Sequence, residues 1–242
     1  MTTSLSAANR ESLKKTSTAT LTTVLFKRGF RNVFIQGIFL LNKDSPRMVG
    51  EAYTLRYIPA REDIDQLGAF EGRGHPQREA IEACPPGHVL VMDARRDASA
   101  ATGGDILMTR LKVRGVAGVL SDGAIRDTPV IGKMDFPVYC SAAAAPPSMN
   151  SLHPVETQTP VGICGVPVYP GDVIVADEDG AIVVPRALAD EVARDSFEQE
   201  RLEKFVAIRV GQGKPITGTY PPNDETKALY QAWIKAGEPT NG

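Results

Sequence analysis

The chain has 242 residues, 42% hydrophobic and 23% charged, enough apolar material for one large globular domain with terminal extensions. A net charge of −2 gives no field for gripping a phosphate backbone, which excludes nucleic acid as a direct partner. No run reaches the roughly 18 apolar residues of a membrane span, and the polar first fifteen residues hold no secretory signal, so a soluble cytoplasmic protein is expected.

Three widely separated cysteines, Cys84, Cys140 and Cys164, form no Cys/His cluster and read as buried free thiols. Residues 1–15 are rich in Ser, Thr and Lys and are expected to be flexible. Residues 16–28 read as a helix, with Thr16 or Ser17 as cap, Leu21, Val24 and Leu25 facing inward, and Gly29 as the stop. Residues 48–58 have strand character and end at Pro59. A charged, glycine-rich loop spans residues 60–78, the kind of segment that often carries function.

A short helix is expected over 76–84, then a buried strand over 88–94 (HVLVMDA). Gly103-Gly104-Asp105 opens a helix that runs to Arg114 and stops at Gly115, and residues 116–120 form the next strand. Such a strand–helix–strand unit implies a parallel pair with a right-handed crossover. Another strand covers 136–141, followed by a pliable Ala/Pro/Ser segment to about residue 151. In residues 166–185 two β-rich runs flank Asp177-Glu178-Asp179-Gly180, a hairpin turn. Residues 186–209 form an amphipathic helix with Leu188, Val192, Phe197, Leu202 and Phe205 as its stripe. The organisation expected is thus a flexible start (1–15), one catalytic domain (16–209), and a proline-containing C-terminal arm (210–242) with a short helix around 227–235.

The chemistry concentrates in residues 103–127. A glycine pair at a helix start presents unpaired N–H groups and the positive end of the helix dipole, a place for a small carboxylate or phosphate. An ordinary helix-start turn accounts for the same residues. About twenty residues later, beyond a buried strand, comes Ser121-Asp122-Gly123-Ala124-Ile125-Arg126-Asp127. Ligands of open α/β layers collect at the carboxyl ends of strands, so this segment belongs near the start of the preceding helix. Arg126 can clamp a carboxylate in a bidentate way, and Asp127 can hold a hard cation. A surface ion pair fits the same two residues.

Gly104-Asp105, twenty intervening residues, then Arg126-Asp127 resembles the Asp-X20-Arg-Asp signature of the class II pyruvate aldolases that cleave 4-hydroxy-4-methyl-2-oxoglutarate and 4-carboxy-4-hydroxy-2-oxoadipate. The segments RGVAGVLSDGAIRD, FPVYCSA and GDVIVADEDGAIVVP are similar to the same RraA-like superfamily, and the likeness runs from about Gly50 to Arg194. The resemblance implies Asp127 as metal ligand, with Mg²⁺ or Mn²⁺ on oxygen donors. It implies Arg126 as the catalytic arginine that holds the 2-oxo acid and steadies the enolate. Asp105 matches the acidic residue acting through a metal-bound water, and backbone N–H groups after Gly103-Gly104, at Ile106 and Leu107, would take the substrate carboxylate.

The fold implied is α/β, a layered β/β/α swivelling-type domain with a mixed sheet and peripheral helices, assembled as a homotrimer or hexamer with the site at a subunit boundary. The activity implied is a metal-dependent lyase releasing pyruvate from small 4-hydroxy-2-oxo acids, with oxaloacetate decarboxylation as a related reaction. Two alternatives stand beside it: a non-catalytic RraA-like regulator of ribonuclease activity, and a dehydratase of a 2-keto-3-deoxy sugar acid. Methyl transfer to a quinone lacks a recognisable nucleotide-binding element. The sequence departs from the short aldolases in residues 30–42, in the loop 61–77 and in the C-terminal arm; Glu71, Arg73 and His75 in that loop are candidates for reshaping substrate selection.

Outside these motifs the expectations are structural. His88 reads as a structural residue at a strand start, and His75 and His153 as solvent-exposed loop residues. Asp172, Asp177, Glu178 and Asp179 lack the spacing of a calcium loop and read as turn formers. Ser121 lacks the context of a serine nucleophile.

Overall fold

The computed structural model describes residues 4–70 and 74–239, so Glu71 and Arg73 lie outside the described residues. Helices α1 (Ala7–Lys14) and α2 (Thr18–Lys27) lead into two short strands, β1 (Phe34–Ile35) and β2 (Phe39–Leu40), and then the long strand β3 (Met48–Pro59). Helix α3 (Pro76–Ala83), strand β4 (Val89–Asp93), helix α4 (Asp105–Val113) and strand β5 (Gly118–Ser121) follow. After them come β6 (Ala124–Ile125), the single-turn α5 (Thr128–Ile131), β7 (Val138–Cys140) and β8 (Ala142–Ala143). Strands β9 (Leu152–Thr157), β10 (Val161–Ile163), β11 (Val166–Val168), β12 (Val173–Asp177) and β13 (Gly180–Val184) complete the sheets. Helices α6 (Ala189–Gly211) and α7 (Asp224–Lys235) close the chain.

The main sheet runs β1-β13-β12-β3-β4-β5-β7-β2, with β9 also on β3. Strands β3, β4, β5 and β7 are parallel, whereas β12 and β13 pair antiparallel. Side chains alternate between the faces of a strand, and the core splits accordingly. Leu90 and Met92 of β4 join Ile81, Met108, Leu111 and Ile131 from α3, α4 and α5. Val89 and Val91 face the other way, toward Ile163, Val166 and Val168 of the β10–β11 hairpin. Helix layer, sheet and second β layer give the layered β/β/α arrangement implied by the family resemblance. Burial on both faces explains why β4, β5, β12 and β13 read as unbroken apolar runs.

A third apolar cluster packs α1, α2 and α6 against β12 and β13 through Leu13, Leu21, Leu25, Val173, Ile182 and Val192. Within the residue 1–15 segment expected to be flexible, Ala7–Lys14 form helix α1 and are packed down. Leu13 is fully buried in α1, the Arg10 guanidinium donates to the Val49 and Gly87 carbonyls at 2.8 Å each, and it pairs with Glu51. A Ser/Lys-rich composition hid one apolar anchor and one arginine that together pin the helix. At the opposite end, Phe205 and Val206 of α6 meet Tyr230 and Trp233 of α7, so the arm folds back on its own long helix. No helix among the described residues is long and apolar enough to cross a membrane.

Candidate active site

Residues at the carboxyl ends of β4 and β5 are stitched together before any ligand arrives. Thr102 N–H donates to the Ala124 carbonyl at 2.8 Å, its hydroxyl reaches Ser121 Oγ at 3.1 Å, and Arg126 N–H donates to the Gly103 carbonyl at 3.0 Å. Ala101 bridges to Ala124 in the parallel sense, extending the ladder. The loop after β5 is thereby laid alongside the residues that open α4. The twenty-residue spacing between Asp105 and Arg126 is the length of chain needed to run down α4, return through β5 and arrive beside the helix start.

Gly104 is the point of closest approach. A Cβ there would lie 2.4 Å from Asp127 Oδ2 and 2.9 Å from Arg126 Cγ, so only glycine lets the Arg-Asp pair settle against the helix start. Asp127 takes a left-handed conformation, φ 57°, which costs an L-residue about 1 kcal/mol and is best borne by Asn, Asp or Gly. It stands at the N-cap of α5, yet its side chain makes no capping hydrogen bond. Its backbone carbonyl accepts from Val130 and Ile131 instead, and its carboxylate lies 3.3 Å from Arg126 Nε. The carboxylate is thus left on the cleft side, paired with Arg126 rather than capping its own helix.

Gly103, Gly104, Asp105, Ile106, Leu107, Arg126 and Asp127 all line one cleft of about 440 Å³, within the range of small-molecule sites. All seven residues singled out in the sequence are therefore brought together. One detail differs: the Ile106 N–H is taken at 2.8 Å by the Asp105 carboxylate, so of the two amides expected to receive a substrate carboxylate, one is occupied from within. Gln77, Arg78, Ala101, Pro147 and Ser148 also line the cleft and were not anticipated. Gln77 carried a signal of sorts, a polar residue on the apolar face of a short helix. It is buried, and its Nε2 donates to the Thr102 carbonyl at 2.7 Å and to Tyr57 Oη at 3.3 Å. Arg78 had none, because an arginine on the exposed face of a helix is ordinary.

The remaining candidates have structural work. Ser121 is buried, its Oγ accepting from Thr102 and from Gly123 N–H. Asp177 caps α2 by accepting from Thr18 N–H and Oγ1 at 2.8 and 2.7 Å, and Asp172 accepts from Tyr169 and Arg186 N–H. His153, expected in an exposed loop, lies in β9 opposite Ile58, and its Nδ1 is 2.7 Å from Asp65. His75 occupies the N-cap position of α3 without a side-chain capping bond and is half-buried. Cys84 and Cys140 are buried thiols pushed up to about 12 by desolvation, whereas Cys164 is only partly covered.

Asp122 is fully buried and accepts N–H bonds from Ala94, Arg96 and Cys164 at 2.7, 3.2 and 3.5 Å. Through them it braces the turn at Arg95-Arg96, both left-handed, that follows β4. Burial is the dominant influence and raises its carboxyl to about 6, the nearby Asp93 adding to it against the amide donors.

For donors to a divalent cation, the cleft offers the carboxylates of Asp127 and Asp105. Among the described residues no cluster of three or more His, Cys, Asp or Glu forms a cation cage. Two carboxylates with open positions suit Mg²⁺ or Mn²⁺, which keep waters and substrate oxygens in the remaining positions. The donor set is compatible with such an ion.

An Arg-Asp pair and a glycine-led helix start thus line one cleft at the strand ends of an α/β layer. The chain belongs to the RraA-like family (Aldolase/RraA), which it matches over residues 18–183. It is similar to a protein of Halalkalibacterium halodurans named putative 4-hydroxy-4-methyl-2-oxoglutarate aldolase, 32% identical over 50% of this chain and 58% of that one. A Thermus thermophilus protein named 4-hydroxy-4-methyl-2-oxoglutarate aldolase is 33% identical over 45% of this chain and 65% of its own. The matches span between 26% and 68% of the curated relatives' own lengths. Among solved structures, one from Streptomyces coelicolor, described as an unusual member of the RNase ES inhibitor RraA family, superposes with a TM-score of 0.74. It is 32% identical and covers 86% of this chain and 99% of its own.

Replacing Gly104 by alanine is expected to push the Asp127 carboxylate aside and weaken Mn²⁺ binding about tenfold or more, with circular dichroism unchanged. Calorimetric titration with Mn²⁺ checks this, and unchanged affinity would remove Asp127 from the cation site. For Asp122 the native state keeps a proton that the unfolded chain releases above pH 4. Its stabilising contribution is full below that pH and is lost as pH rises through about 6. The stability of the natural chain relative to the Asp122→Asn variant should therefore fall by roughly 1–3 kcal/mol between pH 4 and pH 7, read from urea unfolding. A flat or rising difference would mean the carboxyl is ionised throughout.

Proposed function

We propose that this chain is a divalent-metal-dependent lyase that cleaves small 4-hydroxy-2-oxo acids to release pyruvate. The observation that carries the reading is the convergence of Asp105, Arg126 and Asp127 on one cleft at the start of α4, with Gly104 vacating the space they need. Asp127 is the residue that would hold Mg²⁺ or Mn²⁺, with the Asp105 carboxylate lining the same cleft. When bound, such an ion supplies electrophilic polarisation of the 2-oxo group.

The protein's own groups do the rest. The Arg126 guanidinium clamps the oxygens of the 2-oxo acid, and the N–H groups opening α4 face the carboxylate, Leu107 first and Ile106 once Asp105 releases it. The C4 hydroxyl gives its proton to Asp105, the C3–C4 bond breaks, and its electron pair passes to C3 and the C2 oxygen as the pyruvate enolate. Arg126 stabilises that negative charge as it develops, and protonation at C3 then yields pyruvate. Decarboxylation of oxaloacetate uses the same electron sink.

The reading includes a homotrimer or hexamer with the cleft at a boundary between copies. Ile106 on the cleft wall and Val130, three residues after Asp127, are 78% and 50% exposed, which supports a covered surface there. Light scattering should give a mass three or six times 26.0 kDa, and a monomer at micromolar concentration would reject the assembly.

The relation to the Streptomyces protein favours a second reading, regulation of a ribonuclease through protein contacts without catalysis. One experiment separates the two. Pyruvate release from 4-hydroxy-4-methyl-2-oxoglutarate and from oxaloacetate is followed with Mg²⁺, with Mn²⁺ and with EDTA. Turnover should need the metal and fall by about 10³-fold in the Arg126→Ala and Asp127→Ala variants. Absence of turnover together with absence of metal binding would leave the regulator reading ahead.

A further inference from the structure

Within the reading of the cleft as the site of a lyase, on which this inference rests, we propose that Ser148 is a further catalytic residue. Its hydroxyl donates a hydrogen bond to the C4 oxygen of the substrate, the oxygen that takes up charge as its proton leaves for Asp105. Ser148 thereby sets which reaction the cleft runs, favouring aldol cleavage over decarboxylation.

Burial and openness together place the hydroxyl. Ser148 is 6% exposed and lines the cleft with Arg126, Asp127 and Asp105. Among the described residues its Oγ has no hydrogen-bond partner, yet it is not one of the polar atoms sealed off from solvent, so the part of the residue left open includes the hydroxyl. The hollow on its other side, toward Asp65 and Leu152, has no room for a water molecule, which leaves the cleft as the space the hydroxyl meets.

The backbone fixes its distance from Arg126. Residues 101–103 run between 124–126 and 146–147 as three short parallel segments, Ala101 bridging Ala124 on one side and Pro147 on the other. Ala101 N–H donates to the Pro146 carbonyl at 2.9 Å, and Arg126 N–H to the Gly103 carbonyl at 3.0 Å. Neighbouring segments of such a ladder lie about 4.8 Å apart, so Ser148 stands roughly 10 Å from the backbone of the Arg126 segment, across the glycine-led start of α4. A small acid whose carboxylate and 2-oxo group rest on Arg126 and the α4 amides extends over that gap toward Ser148. The C4 oxygen is the first polar group it presents beyond C2.

Charge at C4 changes in opposite senses in the two reactions. In cleavage the C4 hydroxyl passes its proton to Asp105, the C3–C4 pair moves to C3 and the C2 oxygen, and a lone pair of the C4 oxygen closes the new carbonyl. Negative charge appears on that oxygen as the proton departs, and a donor placed there lowers the barrier. In oxaloacetate C4 is a carboxylate, which sheds its charge as the C3–C4 bond breaks and carbon dioxide leaves. A donor on that carboxylate stabilises the ground state and holds the reaction back. Ser148 keeps its own proton in both.

The test follows pyruvate release by the full chain with saturating Mg²⁺, from 4-hydroxy-4-methyl-2-oxoglutarate and from oxaloacetate. In Ser148→Ala, kcat for cleavage should fall at least about tenfold while oxaloacetate decarboxylation stays level or rises. Ser148→Thr, which keeps a hydroxyl, should retain most of the cleavage. Pyruvate, which ends at C3, should bind the natural chain and Ser148→Ala with equal affinity by calorimetry. Parallel loss of both reactions, undiminished cleavage in Ser148→Ala, or a natural chain that decarboxylates without cleaving overturns the assignment while leaving the lyase reading intact. A natural chain that runs neither reaction sinks the lyase reading and the assignment with it. If it cleaves without decarboxylating, the contrast between the Ala and Thr variants at equal pyruvate affinity decides. Ser148→Ala removes no hydrogen bond within the protein, and unchanged circular dichroism confirms that the variants fold.

Discussion

Strand β3 hydrogen-bonds to three partners along twelve residues, and nearly every other element takes its place from that fact. Its first four residues pair antiparallel with β12, residues 52–56 pair parallel with β4, and its last five pair with β9. The antiparallel half carrying α1, α2 and α6 is thus joined to the parallel half carrying α3, α4 and the cleft without a flexible connection. Gly50 lies at the handover, where a Cβ would sit 2.4 Å from the Gly87 carbonyl. Close backbone approach here lets Arg10 bond the Val49 and Gly87 carbonyls together, so the N-terminal helix clips the same junction.

The cleft depends on that junction at one remove. Parallel strands β4 and β5 end on the same side, and their outgoing loops meet only because β3 fixes β4 in the sheet. From there a short ladder, Ala101 to Ala124, Thr102 to Ala124 and Arg126 to Gly103, fixes the cleft residues in place. Hydrogen bonds of this kind contribute only about 1 kcal/mol each to stability, yet several in series define an orientation closely. Preorganised charge of this sort would suit the enolate chemistry proposed for the cleft.

Much of this was legible in the residues because local rules and tertiary demands agree. Glycine stops, the Ser17 cap, the buried run 89–93 and the hairpin at Asp177–Gly180 all fold as their patterns imply. The grouping of Gly104, Asp105, Arg126 and Asp127 was legible too, since a helix, a turn and a strand of ordinary length close the twenty-residue gap. What was illegible has a common physical cause: it depends on partners distant in sequence. Arg10 looked like one more charge in a polar leader until Glu51 and the Gly87 carbonyl were beside it. His153 looked like a loop residue because β9 is recruited by the far end of β3, whose pairing shifts register between Arg56 and Tyr57. Arg78 could not be told from a solvated helix arginine, because its cleft exists only after α3 has packed beside α4.

The left-handed backbone of Asp127 has a consequence for how such a chain can drift. Glycine at that position would relieve the backbone, and asparagine would bear the same angles nearly as well. Either replacement suits the backbone angles while removing the negative charge and its pairing with Arg126. Backbone geometry therefore exerts no pull toward aspartate here; the carboxylate is kept for its 3.3 Å pairing with Arg126 and for the chemistry proposed at the cleft. On the proposed function, a gene copy released from that chemistry would be free to lose the carboxylate early, and residue 127 would gauge whether a descendant still performs the proposed reaction.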